Sequence, residues 1–92
     1  MTTFYPFSAG DAIASSRLPV DACDCHIHVY DQRIPAVPDA RLRPPDASLE
    51  DYLRIRTRMG TRRAVVVTPS TYGTDNRLML DALDTLGTDG RG

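Results

Sequence analysis

The chain has 92 residues, with eleven arginines and no lysine set against twelve acidic residues, for a formal charge of −1. That balance excludes a general attraction to nucleic acid or an anionic membrane surface, and the length admits one small domain. No stretch approaches the roughly 20 apolar residues of a membrane helix, and Met1-Thr2-Thr3-Phe4 does not open a secretory leader, so the expected compartment is the cytoplasm.

Residues 1–18, which hold Pro6, Gly10 and Ser15-Ser16, read as an irregular N-terminal arm, and residues 19–92 as the structured part. Pro19 opens a first strand running from Val20 to about Val29, a position where proline is tolerated. Alternation along it sends His26 and His28 to one face, with Asp24 one step before them, and Ile27 to the other. Three ionisable groups in succession on one strand face point to a metal site or to a grip on an anionic substrate. Cys23 and Cys25 fall on the opposite face. Cys-x-Cys-His-x-His is not a usual structural zinc spacing, so the two read as thiols buried under a helix. A disulfide between them is not expected, because side chains two apart on a strand diverge.

From Tyr30 to Ala47 there are four prolines and no sustained period, which predicts a long ordered loop. Unstructured connections beyond about 12–15 residues are usually functional or disordered, and this one leaves the histidine-bearing end of a strand. Asp31 and Arg33 lie in it, with Arg33 read as a surface residue. Ser48-x-x-Asp51 has the form of a capping box and begins a helix that Gly60 closes. Leu49, Tyr52, Leu53, Arg56 and Met59 fall on its helical spacing, and Arg54, Arg58, Arg62 and Arg63 read as a solvated face. Ala64-Val65-Val66-Val67 is an unbroken apolar run of the kind found in parallel strands covered on both faces. A polar turn, Thr68 to Gly73, follows, with Gly73 expected at positive φ. Thr74 or Asp75 then caps a second helix, with Asp75 and Asn76 as capping residues and Met79, Ala82, Leu83 and Leu86 as its apolar stripe. Gly87 stops it, and a third strand ought to begin within Thr88-Asp89-Gly90-Arg91-Gly92. The order is βαβα, an α/β pattern, with sheet edges left open to be closed by further chain or by self-association.

Asp24-Cys25-His26-Ile27-His28-Val29-Tyr30, then Pro44-Pro45-Asp46-Ala47, then Ala64 through Asn76 with its Ser70-Thr71-Tyr72-Gly73-Thr74-Asp75-Asn76 turn, resemble the amidohydrolase superfamily. Within it the chain looks most like the amidohydrolase-related branch of 2-pyrone-4,6-dicarboxylate lactonase and similar lactone hydrolases. The resemblance runs from about residue 20 to the end and implies the first two βα units of a (β/α)₈ TIM barrel, truncated. A whole barrel takes about 250 residues.

What the resemblance implies for the site is specific. His26 and His28 would lie at the C-terminal end of the first barrel strand, facing the active site. In the lactonase branch they polarise the lactone carbonyl with no obligatory metal, and a late-strand carboxylate activates water. In metal-dependent branches the same pair ligates a divalent metal, zinc or manganese. Ser70 matches the position from which the second strand offers a hydroxyl to substrate, and Tyr72 one where relatives place another polar ring. Asp24 is read as either a partner fixing a histidine tautomer or a structural contact. Leu42 stands where some lactonases carry a tyrosine. The expected ligand is a small carboxylate or lactone, and the chain by itself is expected to be inactive. The alternatives are a metal-dependent decarboxylase of the same superfamily and a small non-catalytic metal-binding or assembly module. No nucleophile–base–orienter triad can be named.

Overall fold

The computed structural model describes residues 10–92, so the first half of the N-terminal arm expected over residues 1–18 lies outside the described residues. Three strands, β1 (Cys23–Ile27), β2 (Arg63–Val66) and β3 (Gly90–Arg91), form one parallel sheet in the order β1-β2-β3. Helix α1 (Leu49–Met59) connects the first two strands and α2 (Arg77–Leu86) the second pair. The third strand expected after Gly87 is present as a two-residue pairing of Gly90 and Arg91 with Ala64 and Val65.

The first strand is shorter than its hydrophobicity suggests. Ala22 N–H donates to the Pro19 carbonyl at 2.9 Å, so residues 19–22 turn, and Val20 is left 80% exposed. Pro19 is the first residue of that turn, with Val20 and Asp21 at its corner, and having no N–H it cannot donate to a ladder.

Helix α1 follows its sequence closely. Asp51 N–H donates to Ser48 Oγ and Ser48 N–H to Asp51 Oδ2, both at 3.1 Å, completing the capping box. Gly60 ends the helix at φ +81°, with its N–H on the Arg56 carbonyl. Helix α2 begins differently from expectation. Asn76 holds the N-cap position without capping, because its Oδ1 accepts the Thr68 hydroxyl at 2.7 Å, while Asp75 Oδ1 takes the Arg77 N–H.

The core lies between the sheet and the two helices. Ile27, Val29, Ala64 and Val66 meet Leu49, Ala82 and Leu86, with Tyr52, Leu53, Met79 and Leu83 packed around them. Gly90 is needed here, since a Cβ on it would come within 2.9 Å of Leu86 Cβ. Of the arginines expected on a solvated face, Arg54, Arg62 and Arg63 are exposed and Arg58 is half-buried, and all are anchored: Arg62 bridges Asp21 and Asp89, Arg63 donates to the Asp21 carbonyl, Arg54 pairs with Asp51, and Arg58 donates to the Ala12 carbonyl. Among the described residues no helix is long and apolar enough to cross a membrane.

Candidate active site

A bulge in β1 decides which side chains meet. Asp24 pairs with Ala64 and Ile27 with Val66, so three steps along β1 match two along β2. Paired residues of a parallel sheet share a face. Asp24 and Ile27 therefore both lie on the side of Ala64 and Val66, against the helices. This corrects the strict alternation that put Asp24 on the histidine face. Its carboxylate instead accepts the Tyr52 hydroxyl of α1 at 3.2 Å. Burial and the adjacent Asp24 charge push the Tyr52 hydroxyl up to about 12. Of the two roles open to Asp24, the structure favours the structural contact.

The same bulge overturns the buried-thiol expectation. Cys25 is exposed and Cys23 only half-buried, with Cys25 Sγ 3.5 Å from the Cys23 carbonyl. Desolvation and the neighbouring Cys25 thiol hold Cys23 above the ordinary thiol range. No disulfide joins them.

His26 and His28 lie together on the open face of the sheet, ring centroids 4.9 Å apart and edge to face. Val67 fixes the second ring. Its N–H donates to the Ile27 carbonyl at 2.8 Å, and its carbonyl lies 2.8 Å from His28 Nδ1. A carbonyl can only accept, so Nδ1 carries the proton and the neutral ring presents Nε2 as a bare lone pair. His26 has no hydrogen-bond partner among the described residues. A backbone carbonyl holding Nδ1–H is the usual support behind a metal-ligating imidazole, so His28 fits a metal in that respect. The described residues contain no group of three or more histidine, cysteine or acidic side chains able to hold an ion, so they offer two ligands of the four that zinc takes.

Tyr30 extends the pair. Its ring lies 5.9 Å from His28 and 6.1 Å from Tyr72, so His26, His28, Tyr30 and Tyr72 form an aromatic row. Spacing by two from His28 is the sequence signal that sets Tyr30 beside it.

The long loop is a closed structure. Tyr30 and Ala47 exchange both backbone hydrogen bonds at its neck, and Gln32 N–H donates to Asp46 Oδ1 at 2.7 Å. Its body is bolted to the short 3₁₀ turn Ser70–Tyr72: Val37 N–H reaches the Thr71 carbonyl, and Thr71 Oγ donates to the Leu42 carbonyl at 2.7 Å. Gly73 has φ +59°, as expected, and a Cβ there would meet Val37 Cγ1 at 2.8 Å. Arg33 grips Asp31 through both carboxylate oxygens, which holds Asp31 below the usual carboxylate range.

Tyr72 does not sit as a ligand-binding residue would. It is 4% exposed, its hydroxyl accepts the Asp31 N–H at 2.9 Å, and it donates to the Asp31 carbonyl at 3.1 Å. Its polar handle is spent on fastening the loop. Ser70 is the opposite case: it is exposed, its hydroxyl is without a partner among the described residues, and it lines a groove with Val37, Arg41 and Leu42. Histidines and Ser70 thus share the C-terminal end of the sheet, while no carboxylate contacts either imidazole among the described residues.

A family model described as amidohydrolase matches residues 23–91. The chain is 37% identical over 78 residues to a 4-sulfomuconolactone hydrolase of Rhizobium radiobacter, covering 83% of this chain and 26% of the relative. The same identity and coverage hold for a 2-pyrone-4,6-dicarboxylate hydrolase of Comamonas testosteroni. Among solved structures, a probable 2-pyrone-4,6-dicarboxylic acid hydrolase of Acinetobacter baumannii with citric acid bound superposes with a TM-score of 0.74 at 26% identity. That match covers 78% of this chain and 27% of the other. An apo protein of Agrobacterium tumefaciens gives 0.75 at 27% identity, covering 90% and 30%. The chain spans about a quarter of the length of the curated relatives it matches.

Proposed function

The chain belongs to the amidohydrolase family, and from that premise we propose that it supplies the first βα units of a barrel hydrolase opening a lactone of a small carboxylic acid. The parallel sheet and its likeness to barrel neighbours support reading these strands as part of such a barrel. The observation that carries the reaction is the His26–His28 pair on the open face, with His28 locked through Nδ1. Nε2 of His28 is the atom presented to a ligand. Protonated, it donates to the lactone carbonyl oxygen and stabilises the negative charge that develops there as water attacks. The water needs a base, and no carboxylate contacts either imidazole among the described residues, so the reading expects that base from other parts of a barrel.

A second reading stays within the family: Nε2 left bare ligates zinc or manganese beside His26. A bound metal would act as Lewis acid and lower the pKa of its water. The two readings differ in proton state at one atom. Polarisation needs Nε2 protonated, whereas ligation needs it bare. The test is lactone hydrolysis by the protein at its native length, before and after exhaustive chelation. The lactonase reading expects activity that survives chelation, and His28→Asn should abolish it. Activity lost on chelation and restored by zinc selects the metal reading. Undiminished hydrolysis by His28→Asn rejects both.

A further inference from the structure

We infer that Arg41 is the anion anchor of this site, holding an oxyanion substituent of the ligand, a carboxylate or sulfonate, in the groove it shares with Ser70. The inference rests on the lactone-hydrolase reading for the identity of the reacting ring, but its geometry stands apart from that. Loop 30–47 holds three arginines, Arg33, Arg41 and Arg43. Arg33 is bound to Asp31, and Arg43 donates to the Val37 and Pro38 carbonyls at 3.3 and 3.2 Å. Arg41 has no acceptor among the described residues, and it is the one cation lining the groove. Asp39 lines the same groove but forms no ion pair with Arg41.

The groove is built, because the segments that carry these two residues are bonded together. Leu42 follows Arg41, Thr71 follows Ser70, and Thr71 Oγ donates to the Leu42 carbonyl at 2.7 Å. The Val37–Thr71 hydrogen bond at 2.9 Å fixes the same stretch a second time. A planar guanidinium and a hydroxyl lining one groove supply a fork and a further donor, a set suited to an oxyanion. Val67, whose carbonyl holds His28, lies three residues before Ser70, so one short stretch of chain after β2 reaches both the imidazole and the groove. Leu42, 64% exposed, brings no hydroxyl to the neighbouring position and Arg43 is committed to loop carbonyls, so Arg41 carries the uncommitted strong donors of that loop segment.

The test is calorimetric binding of isophthalate, a flat dicarboxylate, and of isophthalamide, its neutral counterpart, to the protein at its native length. Loss of a charge-assisted pair weakens binding by about 10-fold or more. Arg41→Met is therefore expected to lose about that factor for isophthalate and its salt dependence, leaving isophthalamide binding unchanged. Arg41→Lys, a point charge without the fork, should fall between. Equal isophthalate affinity in Arg41→Met, or no isophthalate binding by the unaltered protein, overturns the anchor. The two readings fail separately. Weakened binding in Arg41→Met without lactone hydrolysis by the unaltered protein rejects the reaction and keeps the anion site. Hydrolysis with unchanged isophthalate binding does the reverse.

Discussion

Replacing Tyr72 by phenylalanine separates a loop fastener from a ligand-binding residue. The substitution keeps the buried ring and removes one oxygen that accepts the Asp31 N–H at 2.9 Å and donates to its carbonyl at 3.1 Å. Each such bond is worth about 0.5–1.5 kcal/mol net. Asp31 is only half-buried, so water takes up part of the deficit. The expected cost is therefore about 1–2 kcal/mol, the lower part of the two-bond range. Because the hydroxyl holds the loop near its neck, that cost falls first on local opening. Amide exchange at Asp31 and Val37 should accelerate by about 5- to 30-fold, the equilibrium factor for that energy. Hydrogen exchange resolved by residue measures it, with urea unfolding as the global check. Affinity for isophthalate should stay within about 2-fold, since the hydroxyl does not face the groove of Arg41 and Ser70. Unchanged exchange at Asp31 together with a 10-fold loss of ligand affinity would refute the assignment and restore Tyr72 as a binding residue.

The capping box gives an acid-side prediction. Asp51 is held below the usual carboxylate range by the Ser48 backbone N–H, the Ser48 hydroxyl and Arg54. A depressed folded value means the contribution is present above the unfolded value of about 3.9 and is lost as pH falls through the folded one. Asp51→Ala should cost about 1 kcal/mol near neutrality, with the gap to the parent closing below about pH 4 in urea titrations. Tyr52 gives the opposite limb: its hydroxyl is raised to about 12, so stability should fall as pH rises from about 10 toward that value. Tyr52→Phe should flatten this alkaline decline, and an unchanged slope would exclude Tyr52 as its source. Gly73→Ala should destabilise by about 1–3 kcal/mol from backbone strain at φ +59°. Adding Val37→Ala relieves the 2.8 Å contact but not the dihedral, so thermal melts should show partial rescue only.

Helices were the legible part of this chain, because their signals are local. Ser48, Asp51 and Gly60 each act within four residues, and the structure places all three as the sequence implies. The sheet was legible in type and order, since Ala64-Val65-Val66-Val67 has the composition of a parallel strand, but less so at its ends. Val20 is as β-prone as Val66, yet Pro19 turns the chain there. The cap of α2 failed for a related reason: Asn76 has two candidate partners, and the tertiary one, Thr68, prevails. At the site, His26 and His28 were visible as a pair and Tyr30 was within reach of the same rule. The commitments of Tyr72 to Asp31 and of Arg43 to Val37 were not, because each spans a loop whose path no local pattern dictates.

The bulge is where local and global demands conflict most sharply. Asp24 through His28 must set two imidazoles on the open face, keep Ile27 in the core, and satisfy a carboxylate one step below. Strict alternation does the first two but leaves Asp24 beside the histidines, where its charge would pair with them and compete for any anionic ligand. One extra residue between Asp24 and Ile27 turns the carboxylate to the helix side, where Tyr52 accepts the role of donor. The added residue also brings Cys25 out to solvent, an outcome with no packing benefit of its own. The bulge therefore exchanges a buried thiol for an uncompensated pair of imidazoles. On the proposed reading, in which the imidazoles meet developing negative charge, this makes the Asp24–Tyr52 bond part of the site although neither residue faces it.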